Sequence, residues 1–145
     1  MSKKNSTRKT GAIYNNPPLS IVHSSHDASV QAVNLPVLID KMKHSDAWSK
    51  GELNALILLK NDNTQIILTA IHEGTEISSF QSNDSITFQI IEGQLNFHSR
   101  KESLTLGKGH LMTLHENVGY SLTTEEETVF LSTIASAMLE TRDNN

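Results

Sequence analysis

At 145 residues the chain has the length of one ordinary domain, enough for one modest core and too little for two. Apolar residues make up 37% and charged residues 19%, and no run of even ten uninterrupted apolar residues occurs, so neither a membrane span nor a secretory leader can be drawn. Cysteine is absent, which excludes disulfides, thiolate nucleophiles and sulfur-ligated zinc or iron–sulfur clusters.

Any metal would have to be held by His and carboxylates, and a soluble, cytoplasmic protein is expected. The formal charge of −4 hides an asymmetry: Lys3, Lys4, Arg8 and Lys9 all precede the first acid, Asp27. A basic end on an acidic body, without interleaved aromatic and basic residues, is a poor nucleic-acid surface. A DNA-associated role would rest on that arm alone.

Residues 1–18 are rich in Ser, Thr, Asn, Lys and Pro, with only Ile13 and Tyr14 to bury, and read as a disordered polar arm. Residues 19–50 are expected to supply an N-terminal strand and a short helix that packs on the body. Asn34 suits a cap, Pro36 suits a first turn, and Leu35, Leu38, Ile39 and Met42 recur at helical spacing up to about His44, with Trp48 beyond as a plug.

From 51 to 136 the texture is β: short runs of Ile, Leu, Val, Phe and Thr between polar turn residues. Ala55–Lys60 and Gln65–Ile71 flank Asn61-Asp62-Asn63-Thr64 as a hairpin, because Asn and Asp tolerate turn dihedrals. Ile86–Glu92 then meets Gln94–Ser99 across Gly93. Later strands are expected over Ser103–Leu106, Leu111–Leu114, Val118–Leu122 and Thr128–Ala135, with Gly107-Lys108-Gly109 and Thr123–Glu127 turning between them. Regular short strands without intervening helices predict an all-β sandwich or barrel. Residues 137–145 read as a tail.

Gly74, five residues, Phe80-Gln81-Ser82, three residues, Ile86, six residues and Gly93 reproduce one frame. Gly109, five residues and His115-Glu116-Asn117-Val118-Gly119-Tyr120 reproduce another. Together they resemble the two motifs of the cupin superfamily. The resemblance implies a small RmlC-like jelly-roll barrel, a double-stranded β-helix preceded by the short helix. It also implies a homodimer, for which Ile21-Val22 and the residues of the 30s are available to add an edge strand to a neighbour.

Carried over position by position, the family's ligand histidines fall on Phe80, Ser82 and Tyr120, and its glutamate on Ile86. Phe and Ile offer no lone pair, and Ser and Tyr are weak neutral donors, so no metal and no cofactor are expected at these positions. What replaces the cage is an interior end lined by Phe80, Ile86, Phe88 and Ile90 at alternating spacing, with the hydroxyls of Ser82 and Tyr120. That wall suits either a filled core or a mostly apolar small-molecule pocket with a few oriented polar groups.

The reading is a non-catalytic module that binds a small, partly apolar molecule or serves in interaction, with Phe80, Ser82, Ile86, Phe88 and Tyr120 facing the cavity. The alternative is an enzyme. It would use either a displaced metal site drawn from His72-Glu73, His98, His110 and His115-Glu116, or metal-free acid–base chemistry of Tyr120 with His115 or His110, as in sugar-epimerising relatives. No His-x-His pair occurs anywhere, and the Glu125-Glu126-Glu127 run reads as a solvated turn.

Overall fold

The computed structural model describes residues 19–21, 30–79, 84–115 and 118–136; the arm expected over 1–18 and the tail over 137–145 lie outside them. In chain order the elements are β1 (Leu19–Ile21), α1 (Leu35–Met42), α2 (Asp46–Lys50), β2 (Leu53–Lys60), β3 (Thr64–Ile71) and β4 (Glu76–Ser79). They continue with β5 (Ser85–Glu92), β6 (Gln94–Ser99), β7 (Ser103–Gly107), β8 (Leu111–Leu114), β9 (Tyr120–Thr124) and β10 (Thr128–Ala135).

Among the described residues ten strands form two sheets, one of six in the order β1-β2-β3-β10-β5-β8 and one of four in the order β4-β9-β6-β7. All pairings are antiparallel except β1 on β2. The chain passes between sheets after β3, β4, β5, β7, β8 and β9, which makes an all-β jelly roll.

Local chemistry sets the turns. Asn61 Oδ1 accepts from the amides of Asn63 and Thr64 at 2.9 and 2.8 Å, closing the β2–β3 hairpin where the sequence places it. The Asn34 side chain caps α1 by accepting from Val37 N at 3.1 Å, and α1 buries Ile39 and Met42.

Two elements escaped the pattern reading: β4, and α2, a single turn capped by Ser45, whose Oγ accepts from Trp48 N. Trp48 is a buried plug, as expected, and stacks on His72 with ring centroids 3.5 Å apart. The strand expected over Val118–Leu122 runs instead from Tyr120 to Thr124. Thr124 belongs inside because its hydroxyl donates to His72 O at 2.8 Å, a partner 52 residues away.

Each face of the six-stranded sheet has its own core. Ile57, Ile67, Ile86, Phe88 and Phe130 point inward and meet Leu95, Phe97 and Leu122 from the four-stranded sheet. On the outer face Leu58, Leu68, Ala70 and Val129 are covered by Ile39, Met42 and Trp48 of the two helices. The N-terminal helices are therefore part of the folded body.

β1 lies in parallel register on β2 of its own chain, Leu19 opposite Ala55, and is the end strand of its sheet; Val22 lies outside the described residues. Among the described residues no helix is long and apolar enough to cross a membrane.

One ion cluster fixes the helix end to two turns. Lys43 Nζ lies 2.9 Å from Glu92 Oε1 and 2.6 Å from Glu127 Oε2. Partial burial lowers the Lys43 pKa, but the hydrogen bonds and charges of Glu127 and Glu92 outweigh it and leave it above the ordinary 10.5. A raised folded-state value means that this contribution is fully present below pH 10.5 and is lost as pH rises through the folded value. Because both carboxylates are about half exposed, Lys43→Met should cost only about 1 kcal/mol. Urea unfolding at low and high salt checks this; the wild-type advantage shrinks as salt rises.

Candidate functional site

Alternation along β5 turns Ile86, Phe88 and Ile90 to the interior, where they are 4%, 1% and 1% exposed. Across the sheet Phe88 stands opposite Ser132 on β10 and Met112 on β8, and Ile86 opposite Ile134 and Leu114. Tyr120 opens β9 on the facing sheet and is partly buried against the same cluster. Its ring meets Phe88 edge-on, centroids 5.8 Å apart at 80°, and tilts against Phe97 at 5.7 Å. Phe88 makes a second edge contact with Phe130 at 5.8 Å. Ile86, Phe88 and Tyr120 are thus brought together at one interior end, whereas Phe80 and Ser82 lie outside the described residues.

The described residues at this end do not fit a metal ion. Ile86, where the motif resemblance would put a glutamate, is buried in the apolar cluster, and the rings of Phe88 and Phe97 pack on Tyr120. A first-row metal needs about three or four lone-pair donors converging on one point.

The described histidines of the displaced set stand apart from one another, and Glu116 lies outside the described residues. His72 Nε2 bonds Trp48 O at 2.7 Å. His98 is exposed on the four-stranded sheet, 3.3 Å from both Ser103 Oγ and Thr123 Oγ1. His110 Nδ1 accepts from Gly107 N at 2.8 Å in the β7–β8 turn. His115 follows β8 at its far end. Among the described residues no three His, Asp or Glu side chains are grouped so as to hold a metal.

Two residues at this end carry no signal in the sequence. Thr69 and Ser132 sit on the inner faces of β3 and β10, and both are fully buried. Their hydroxyls have no hydrogen-bond partner. Polar residues in a strand ordinarily mark its solvent side; only the register shows that these point inward.

A separate hollow of about 290 Å³ lies on the outer side of the six-stranded sheet, walled by Val33, Leu58, Leu59, Ile66 and Leu131. The Gln31 amide at its rim donates to Leu58 O at 2.9 Å.

Neither a protein-family model nor a curated protein matches this sequence. Solved structures do. The cupin domain of Schizosaccharomyces pombe Cnp3 is 16% identical, with 66% of this chain aligned to 72% of that one at a TM-score of 0.59. A cupin-2 domain containing protein from Shewanella frigidimarina is 15% identical over 72% of this chain and 94% of its own, with a TM-score of 0.57. An RmlC-like cupin from the same organism is 16% identical over 60% and 78%, with a TM-score of 0.55. The chain has the cupin fold, and at these identities the likeness is one of fold.

Proposed function

We propose that this is a metal-free cupin-fold module that binds a small, partly apolar, uncharged molecule at its interior end and does not turn it over. The observation that carries the reading is Ile86. The position from which a cupin glutamate would reach a metal is a side chain 4% exposed, locked between Ile134 and Leu114 in an apolar cluster. Supporting it, the described surroundings of Tyr120 and Phe88 are the kind of apolar wall with few polar groups that holds small organic molecules. A homodimer in the cytoplasm belongs to the same proposal. β8, with the exposed Leu111, is one sheet edge that a second copy would use.

The test is elemental analysis of untagged protein after incubation with excess manganese, iron, nickel or zinc and desalting. We expect less than about a tenth of an equivalent of every metal, since a preformed site of three or four ligands would retain one. A stoichiometric metal overturns the proposal and brings the displaced-site enzyme to the front. Sedimentation at micromolar concentration reads the dimer, and a monomer removes that part alone.

A further inference from the structure

Thr69 and Ser132 are 0% and 1% exposed, and neither Thr69 Oγ1 nor Ser132 Oγ has a partner. They are diagonal neighbours on adjacent strands: Thr69 stands opposite Phe130 and Ser132 opposite Ile67. That register sets them on one face, roughly 7 Å apart. Thr69's row continues through Ala55 and Ile90, and Ser132's through Ile57 and Phe88, so the residues in line with them across the sheet are apolar, and the next rows bring Thr128 beside Thr69 and Gln65 beside Ser132. A hydroxyl taken out of water and left unpaired loses its hydrogen bonds for nothing. Val at 69 and Ala at 132 would fill nearly the same volumes without that loss. Two such hydroxyls thus lie side by side, at the end where the aromatic residues gather.

We infer that Thr69 and Ser132 are the polar contacts of the interior site, donating hydrogen bonds to an uncharged, largely apolar molecule that carries one or two acceptor oxygens, such as a ketone. The inference rests on the binding reading above and supplies its chemistry. Among the described members of the inner cluster Tyr120 is the one titratable residue, so an ionised ligand would meet no fixed charge from that cluster as it shed its hydration. Phe88 stands opposite Ser132 and its ring touches Tyr120, which is only partly buried. The route to the hydroxyls therefore passes Tyr120 and then Phe88, and the ligand enters by displacing these rings.

The experiment compares the full chain with the Thr69→Val, Ser132→Ala double variant, by thermal midpoint and by calorimetric affinity for isosteric probe pairs. The pairs are acetophenone with α-methylstyrene and cyclohexanone with methylenecyclohexane, in which an acceptor oxygen becomes a CH₂ group. Without probe, the variant's midpoint should rise by roughly 3–8 °C, because two unpaired buried hydroxyls have gone. A fall would mean that the hydroxyls are already satisfied, by enclosed water, and overturns the inference. Wild-type protein should prefer each ketone to its hydrocarbon by roughly threefold to tenfold. The variant should lose the preference while keeping its affinity for the hydrocarbon. Equal binding of both members by wild type and variant leaves the binding reading standing and overturns the role of the two hydroxyls. Failure of the wild type to bind any probe overturns the interior site itself.

Discussion

Gly93→Ala is expected to lower the unfolding free energy by at least about 3 kcal/mol, a large share of the 5–15 kcal/mol that holds a domain folded. Gly93 turns the chain from β5 to β6 with φ of +81°. A Cβ built there would stand 2.3 Å from Glu127 O and 2.8 Å from both the Cα and the Oγ1 of Thr128. Two of these are backbone atoms and cannot swing away. Thr128 is also committed elsewhere: its hydroxyl donates toward Gln94 O at 2.9 Å and Glu126 O at 2.8 Å, and accepts from Gln94 N at 3.2 Å, binding the β5–β6 turn to the start of β10.

The substitution therefore adds a steric conflict to the left-handed cost of about 1–2 kcal/mol. Gly74 and Gly109 provide the internal control. They share the positive φ, at +75° and +86°, but nothing lies within 4 Å of a Cβ at either. Alanine there should cost only the conformational part, about 1–2 kcal/mol. Urea denaturation of the three variants reads the difference, and equal losses at all three positions would contradict the close approach at Gly93.

The same contrast shows which parts of the molecule are legible in sequence. Asn61, Gly93 and the Gly107–Gly109 turn announce themselves because turn chemistry is local: a side chain bonds its own backbone, or a dihedral admits glycine most readily. The inward set Ile86, Phe88 and Ile90 follows from strict alternation on β5 and needs no partner to be seen.

What stays hidden depends on distant contacts. Thr123 and Thr124 are polar and read as turn, yet Thr124 is 3% exposed because His72 O, 52 residues earlier, accepts its hydroxyl. The α2 turn is too short for periodicity to show, and its tryptophan is explained only when His72 is seen stacked on it. Thr69 and Ser132 are the sharpest case. Nothing in Ile67-Leu68-Thr69-Ala70 or in Leu131-Ser132-Thr133 says which face a residue takes; the β3–β10–β5 register decides it. The apolar half of the candidate site is thus written in its strand pattern, and the polar half in its topology.

Phe88→Ala should be the other severe change, costing about 3–5 kcal/mol, the range for truncating a fully buried phenylalanine. The ring is 1% exposed and lies at the centre of the aromatic group, edge-on to both Tyr120 and Phe130. Deleting it removes its buried apolar area, two edge contacts worth about 0.5–1.5 kcal/mol each, and leaves a void beside Met112 and Ser132. The size of the loss discriminates between two states of the interior. A ring that walls an open pocket has contacts on one side only, so its truncation would cost under about 2 kcal/mol; a ring packed all round gives the full amount. We expect the full amount for the free protein, measured by urea unfolding with an unchanged m-value. Because the void opens directly onto the Ser132 hydroxyl, the same variant should bind acetophenone more tightly than wild type and regain part of its lost stability in excess ketone. Destabilisation without any gain in ketone binding would leave Phe88 as core alone and separate it from the route to the hydroxyls.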